Sequence, residues 1–234
     1  MSNKIAIVIP AYNESKTIAS VIKDIHNNIP KNINYNIIVV NDGSTDETSK
    51  IAKANGAIVI NHILNSGAGS ATATGLSYAQ QNNYYIAATL DADGQHSAKD
   101  LYNGIQIIQN NNIDLLIGSR LLNSKGMPKI KIIGNWGLSA ITKILFGIKV
   151  TDSQSGMRIL SKNALDNLKW KTSGYEFCSE MLWRANQRKL IIKEYPIKVI
   201  YTDYSKSKGQ NNWNGINIAK SLIHRRIVEI FEWD

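Results

Sequence analysis

The sequence predicts an α/β fold in which helices flank a mostly parallel central sheet, and three observations support this. Short apolar runs recur along residues 1–118, and stretches with apolar residues at helical spacing separate them. The runs are rich in Ile and Val without polar alternation, as expected for strands covered on both faces. Polar clusters follow several runs, and open parallel sheets bind ligands beyond the carboxyl ends of their strands.

The βα units can be assigned in order along the first half. The predicted strands are Lys4–Ile9, Asn36–Val40, Ala57–Ile60, Tyr85–Leu90 and Ile113–Ile117. The predicted helices are the stretch carrying Ile18, Val21, Ile22, Ile25 and Ile29, then Thr45–Asn55, Ser70–Gln81 and Ala98–Gln109. Asn13 is a possible cap of the first helix, and Gly56 is placed to end the second. Repeated units of this kind imply right-handed crossovers.

The pattern changes after Gly118. Residues 129–149 and 214–232 are helix-like and mix apolar with basic residues. The first could be an interfacial amphipathic helix or simply a buried one. The apolar part of the first is about 17 residues, short for a membrane span of about 20. With no internal repeat or low-complexity linker, we expect one domain over 1–234, with a first half (1–118) and a second half (119–234).

Charge is distributed unevenly over a net charge of +9. Residues 1–118 hold 7 Lys and Arg against 9 Asp and Glu, whereas residues 119–234 hold 20 against 9. The basic second half suggests an anionic partner: nucleic acid, a membrane surface or a phosphorylated substrate. The composition excludes collagen, disulfide scaffolds and disordered acidic chains. The single cysteine, Cys178, favours a reducing, cytoplasmic location, and the opening apolar run reads as a strand rather than a signal peptide.

The segment 91–96, DADGQH, directly follows the fourth predicted strand. Asp91 and Asp93, with Gln95 two residues further on, can turn toward one hard cation while substrate oxygens complete its coordination. A divalent cation held there can neutralise a diphosphate leaving group. An ordinary acidic turn is the alternative, because Asp and Gly are common turn residues.

Two other strand ends carry polar clusters, Pro10–Glu14 and Asn41–Asp46. Tyr12 offers a ring against a base, and Asp42 could accept hydrogen bonds from a base or a ribose. Taken singly, Asp42 is more often a turn residue or a helix cap. Three clusters on successive strand ends make a shared binding site the better interpretation.

Five motifs carry a family resemblance: PAYNE (10–14), VNDGSTD (40–46), DADGQH (91–96), GSR (118–120) and TDSQSGMR (151–158). In this order they resemble family 2 glycosyltransferases of GT-A fold, and within them the dolichyl-phosphate or polyprenyl-phosphate sugar synthases. The resemblance covers about residues 3–205. It implies an inverting transfer of a sugar from a nucleoside diphosphate-sugar to a polyprenyl phosphate, with Mg²⁺ or Mn²⁺ on the diphosphate.

The resemblance also implies roles for individual residues. Asp91, Asp93 and Gln95 match the metal motif, and Asp91, Asp93, Arg120 and Asp152 match positions around the reacting groups. Arg120, Lys131 and Arg158 are expected near the acceptor phosphate. The residues expected at the nucleotide-sugar are Pro10, Tyr12, Glu14, Asp42, Gly69, Asp91, Ala92 and Lys206. Residues 131–136 read KIIGNW where relatives carry arginines, which removes a bidentate fork.

The mechanism follows from the charges of the two substrates. A phosphate acceptor is already ionised at neutral pH, so it needs no strong general base. If the acceptor were instead a sugar hydroxyl of a glycan or glycolipid, a carboxylate base would be required, and Asp152 is the candidate. With a lipid phosphate, we expect a peripheral protein on the cytoplasmic face of a membrane.

A basic nucleic-acid-binding module is a remote alternative. Lysines and arginines interleaved with Trp136, Trp170 and Trp213 could bind single strands. However, the sequence contains no nucleic-acid-binding motif, and the acidic 91–96 segment would repel phosphates without a metal. We therefore expect no nucleic-acid partner, and the sequence indicates no oligomeric state.

Overall fold

The computed structural model describes residues 4–200 and 212–231. Within these ranges, seven strands form one sheet and eight helices accompany it. The strands are β1 (Ile5–Ala11), β2 (Tyr35–Asn41), β3 (Ile58–Asn61), β4 (Ile86–Thr89), β5 (Leu115–Ser119), β6 (Arg158–Ser161) and β7 (Ile192–Pro196). The helices are α1 (Ile18–Asn28), α2 (Thr48–Ala54), α3 (Ala68–Gln81), α4 (Ala98–Asn110), α5 (Lys129–Phe146), α6 (Lys162–Asn167), α7 (Phe177–Gln187) and α8 (Asn212–Phe231).

The strand order is β3-β2-β1-β4-β6-β5-β7. All neighbouring pairs are parallel except those of β6, which runs antiparallel to both β4 and β5. The predicted α/β class with a mostly parallel sheet is therefore confirmed. The second half of the chain adds two strands that its pattern did not predict, and β6 inserts between two strands of the first half.

Two apolar clusters cover the two faces of the sheet, which explains why the strands lack polar alternation. Ile7 and Ile9 of β1 pack in one cluster with helices α1 and α4, while Val8 packs in the other with α3. A Cβ atom on Gly75 of α3 would overlap Cγ1 of Val8, so the glycine lets this helix approach the strand closely. Burial on both faces makes a strand such as β1 a continuous apolar run.

Helix boundaries differ from the prediction at α1, α2 and α5. Helix α1 begins after Thr17 rather than at a cap formed by Asn13, which has a left-handed φ of +53°. Helix α2 begins at Thr48, because Asp46 and Glu47 belong to the preceding turn. Helix α5 ends at Phe146, where Gly147 adopts a φ of +72°.

Leu138 and Phe146 lie on the buried side of helix α5. Helix α8 packs against α5 and contributes Ile218 and Leu222 to the same core. The opposite side of α5 is exposed. None of the helices in the described part of the chain is long and apolar enough to cross a membrane.

Candidate active site

A cleft of about 690 Å³ opens at the carboxyl ends of the parallel strands. The loops that follow β1, β2, β4 and β5 contribute its polar side chains, as the strand-end argument predicted. The predicted site residues that line it are Pro10, Tyr12, Glu14, Asp42, Asp91, Ala92, Asp93, Gln95, Arg120 and Lys131. Gly69, Asp152 and Arg158 do not line it, and Lys206 lies outside the described residues.

The DADGQH segment forms an ordered acidic loop at the end of β4. Gln95 donates from its backbone N–H to Oδ1 of Asp93 at 2.9 Å and from its side-chain amide to Oδ2 at 2.6 Å. Nε2 of His96 lies 3.0 Å from Oδ2 of Asp91, and the imidazole is buried. The 91–96 loop thus holds both carboxylates in defined orientations at the edge of the cleft.

The two carboxylates have opposite pKa shifts. Burial raises the pKa of Asp91, but the hydrogen bond from His96 and the positive charges of His96, Arg120 and Arg158 outweigh it and lower the pKa overall. Burial and the neighbouring charge of Asp91 raise the pKa of Asp93. This repulsion would be relieved by a cation between the carboxylates.

The donor set therefore suits a hard divalent cation, because it offers carboxylate and amide oxygens. Gly156 adds to this arrangement, since the Asp91 carboxylate occupies the space that a side chain there would need. Within residues 4–200 and 212–231, no three His, Cys, Asp or Glu side chains form a metal-binding group.

The strand-end loops 12–15 and 44–48 are joined by hydrogen bonds. Asn13 donates its backbone N–H to Oγ of Ser44 at 2.9 Å and accepts from the N–H of Thr45 at 2.9 Å. Asp46 accepts from the N–H of Ser15 and from the Thr48 hydroxyl. Partial burial raises the pKa of Asp46, but these hydrogen bonds outweigh it and lower the pKa to about 2. Residues of the VNDGSTD motif therefore hold in place the neighbouring loop that contains Tyr12 and Glu14.

Asp42 is buried at the cleft and holds the loop that follows β3. Its Oδ1 lies 2.7 Å from Nδ1 of His62 and accepts from the N–H of Ser66 at 2.9 Å, while Oδ2 accepts from the N–H of Gly67 at 2.8 Å. Each Asp42 oxygen thus already has a protein partner. Asp42 therefore fixes the loop that contains Ser66 and Gly67, and its contact with a base or a ribose stays a prediction.

Gly69, which was expected at the nucleotide-sugar, does not line the cleft. Its N–H donates to the carbonyl oxygen of Ser173 at 2.6 Å, and a Cβ atom there would lie 2.6 Å from the carbonyl oxygen of Thr172. Gly69 is needed because α3 begins against the 172–174 backbone. Residues of the same segment that do face the cleft include Gly67 and Ala68.

Arg120 lines the cleft in a rigid ion pair. Its Nε and Nη2 donate to Oδ2 and Oδ1 of Asp152 at 2.6 and 2.7 Å, and its backbone N–H donates to Oδ2 at 3.1 Å. Burial raises the pKa of Asp152, but the charge and hydrogen bonds of Arg120 outweigh it and lower the pKa overall. Because Asp152 is fully buried and bound bidentately, it is poorly placed for the predicted role of a general base.

Arg158, which was expected near the acceptor phosphate, does not line the cleft. Its side chain is fully buried, and the guanidinium donates to the backbone carbonyls of Ser153, Ser155 and Cys178 at 2.8 to 3.1 Å. In this arrangement Arg158 holds the 153–155 segment from its buried side.

Several cleft residues were not predicted as contacts. Gln154 and Gly156 line the cleft from the 151–158 segment, and Tyr175 lines it from the loop before α7. Burial and the charges of Asp91 and Asp93 raise the pKa of Tyr175, so its hydroxyl lies in the field of the acidic loop. The TDSQSGMR motif contains Gln154 and Gly156 and could have indicated their place in the cleft. No motif quoted from the sequence contains Tyr175.

Comparisons with known proteins agree with this geometry. Residues 6–169 match the model of glycosyl transferase family 2. The chain is 42% identical to the UDP-N-acetylglucosamine–dolichyl-phosphate N-acetylglucosaminyltransferase of Methanococcus voltae, covering 97% of this chain and 98% of that protein. It is 33% identical to the low-salt glycan biosynthesis hexosyltransferase Agl6 of Haloferax volcanii, covering 82% of this chain and 47% of that protein.

Among solved structures, glucosyl-3-phosphoglycerate synthase from Mycobacterium tuberculosis, in complex with Mn²⁺, UDP-glucose and phosphoglyceric acid, superposes with a TM-score of 0.67. The sequence identity is 21%, and the match covers 94% of this chain and 77% of the other. This similarity supports the fold, which is the GT-A fold. From the family match and the extent of the sequence identity, the chain belongs to glycosyl transferase family 2 and is a glycosyltransferase.

Proposed function

We propose that this glycosyltransferase transfers N-acetylglucosamine from UDP-N-acetylglucosamine to a polyprenyl phosphate of the dolichyl type. The observation that carries the proposal is the 42% identity, over nearly the whole of both chains, to a protein named for that reaction. The cleft offers acidic groups on one side and a fixed arginine on the other, which matches the needs of a nucleotide-sugar and a phosphate acceptor.

On the donor side, Asp91, Asp93 and Gln95 would hold Mg²⁺ or Mn²⁺ together with diphosphate oxygens. The metal would supply charge neutralisation for the leaving nucleoside diphosphate. The opposed pKa shifts of the two aspartates and the oxygen donor set support this assignment. Tyr12 and Glu14 would contact the nucleotide from the 12–15 loop, and Asp42 would do so through a remaining lone pair.

On the acceptor side, Arg120 and Lys131 would bind the lipid phosphate. The two reactants are both anionic, so the protein must hold them together against their repulsion. A phosphate oxygen would then attack the anomeric carbon as the bond to the nucleoside diphosphate breaks, which inverts the configuration. No side chain needs to remove a proton, which agrees with the burial of Asp152 in its ion pair.

The exposed face of α5 would contact the membrane that contains the acceptor. Ile130, Ile133, Trp136 and Ile144 are 62 to 81% exposed, and their spacing places them on one side of the helix. We call them the apolar face of α5. Ile130 and Lys131 also line the cleft, so this face adjoins the proposed acceptor site. Peripheral binding would bring the cleft to the lipid phosphate.

The decisive experiment incubates the purified full-length chain with Mn²⁺, dolichyl phosphate in mixed micelles and a labelled donor. We expect label in the extracted lipid from UDP-N-acetylglucosamine, and much less from UDP-glucose or GDP-mannose. EDTA should abolish the product, and Mn²⁺ should restore it. Absence of lipid product from all three donors, together with transfer to a soluble sugar, would replace this function with the hydroxyl-acceptor alternative.

A further inference from the structure

Glu194, in the middle of β7, is hydrogen-bonded to the turn formed by Thr151 and Asp152. Its carboxylate accepts from the Thr151 N–H at 2.8 and 2.9 Å, from the Thr151 hydroxyl at 2.8 Å, and from the Asp152 N–H at 3.1 Å. The Thr151 hydroxyl also lies 2.6 Å from the hydroxyl of Ser119, at the end of β5. One carboxylate thus fixes both backbone N–H groups of the turn.

The turn formed by Thr151 and Asp152 sets the orientation of the Arg120 side chain beside the cleft. The buried Asp152 carboxylate binds the Nε and Nη2 side of the guanidinium, so the plane of that group follows the orientation of residue 152. Within residues 4–200 and 212–231, the third guanidinium nitrogen of Arg120, Nη1, makes no hydrogen bond. The guanidinium is therefore clamped along one edge, and its remaining donors are available to a ligand in the cleft that Arg120 lines.

We propose that Glu194 is a positioning residue for the acceptor phosphate, acting through Asp152 on Arg120. The inference rests on the proposed function, in which Arg120 meets that phosphate. A free arginine side chain loses rotamer entropy when it is fixed in one orientation. The Glu194 and Asp152 contacts meet this cost during folding, so a phosphate encounters a cation already oriented for it.

Steady-state kinetics would separate this role from a general effect on folding. Glu194→Ala should raise KM for dolichyl phosphate about tenfold or more. KM for the nucleotide-sugar should stay within about twofold of wild type, because the residues proposed to bind the nucleotide-sugar follow other strands. Glu194→Gln retains the Oε1 acceptor for all three donor groups and should restore KM to within about threefold of wild type. Lys193→Ala, on the exposed side of the same strand, is the matched control.

A second measurement reports on Arg120 without requiring transfer activity. In a ¹⁵N spectrum, the Arg120 Nε–H should give a protected signal, identified by its loss in Arg120→Lys. The signal should broaden or exchange rapidly in Glu194→Ala and persist in Glu194→Gln and Lys193→Ala. If it stays unchanged in Glu194→Ala, or if both KM values rise equally, the positioning role is wrong. If wild type transfers no sugar to dolichyl phosphate but the signal responds as expected, the proposed function fails while the clamp on Arg120 stands.

Discussion

The carboxylate of Asp91 occupies the position that a Cβ atom on Gly156 would take. This contact joins two motifs that are 65 positions apart in the sequence, the acidic loop after β4 and the segment before β6. It is reinforced by the Thr89 hydroxyl, which donates to the Gly156 carbonyl oxygen at 2.6 Å. The acidic loop and the 151–158 segment therefore form one wall of the cleft.

Gly156→Ala should displace the Asp91 carboxylate and reduce transfer by about 100-fold, because a misplacement of about 1 Å at a reacting group has this effect. The measurement is kcat/KM together with Mn²⁺ affinity, both of which should fall. Gly137→Ala in α5, where nothing lies within 4 Å of the added methyl group, is the control. It should keep full activity and gain about 0.5–1 kcal/mol of stability. Equal activity of the two variants would contradict the contact.

Asp93→Asn should abolish the dependence on divalent metal together with most of the activity. The substitution removes the carboxylate whose pKa is raised by its neighbour, and an amide is a poorer ligand for Mn²⁺. Thermal unfolding with and without Mn²⁺ and UDP provides the measurement, since a bound ligand stabilises the folded state. Asp166→Asn, in an exposed ion pair with Lys162, should retain the metal-induced shift. If Mn²⁺ and UDP raise the unfolding temperature of Asp93→Asn as much as that of wild type, Asp93 is not a metal ligand.

Replacing Ile133 and Trp136 together by Ser should weaken binding to vesicles containing anionic lipid at least tenfold. Each large apolar side chain contributes about 1.5–3 kcal/mol when fully buried, so partial insertion of two of them exceeds this threshold. Flotation with vesicles checks the result. Tyr85→Ser is the control, because Tyr85 is half exposed but precedes β4, at the sheet edge opposite the cleft. Equal loss in both variants would exclude the apolar face of α5 as the contact.

Asp152 should make stability depend on pH in the acid range. Its pKa is lowered in the folded state relative to about 3.9 in the unfolded chain, so the folded state binds fewer protons. The stabilisation is therefore present above about pH 4 and is lost as pH falls through the folded-state pKa. Urea unfolding from pH 7 to pH 3 gives the free energy of unfolding of wild type and of Asp152→Asn. The difference between the two should become smaller as the pH falls toward 3. A difference independent of pH would contradict this assignment.

Arg158→Met should destabilise the protein by about 3 kcal/mol or more. It leaves three backbone carbonyls without their donor in a buried site, and each such loss costs about 1–3 kcal/mol. Urea unfolding measures the change. Arg188→Met is a suitable comparison, because Arg188 is exposed at the end of α7 and should change stability by less than about 0.5 kcal/mol. If Arg158→Met is as stable as wild type and only KM for the acceptor rises, the structural role is wrong and Arg158 binds the acceptor phosphate.

Much of the fold was predictable because its strands are buried on both faces. The buried positions of β1 and β2 are mostly apolar, and such continuous runs leave a pattern that a single sequence reveals. The short strands β6 and β7 lack that pattern. Their place in the sheet depends on pairing with β4 and β5, which are distant in the chain.

The chain's own residue pattern determined which residue types stand at each strand end, and hence the acidic loop, the family resemblance and the predicted residues that line the cleft. Only the tertiary structure decided which of these residues face the cleft. Arg120 and Arg158 are both motif arginines, but one lines the cleft and the other is buried against backbone carbonyls. The difference arises from long-range contacts, Arg120 with Asp152 and Arg158 with Cys178, because the partners of a long side chain are set by packing rather than by neighbours in sequence.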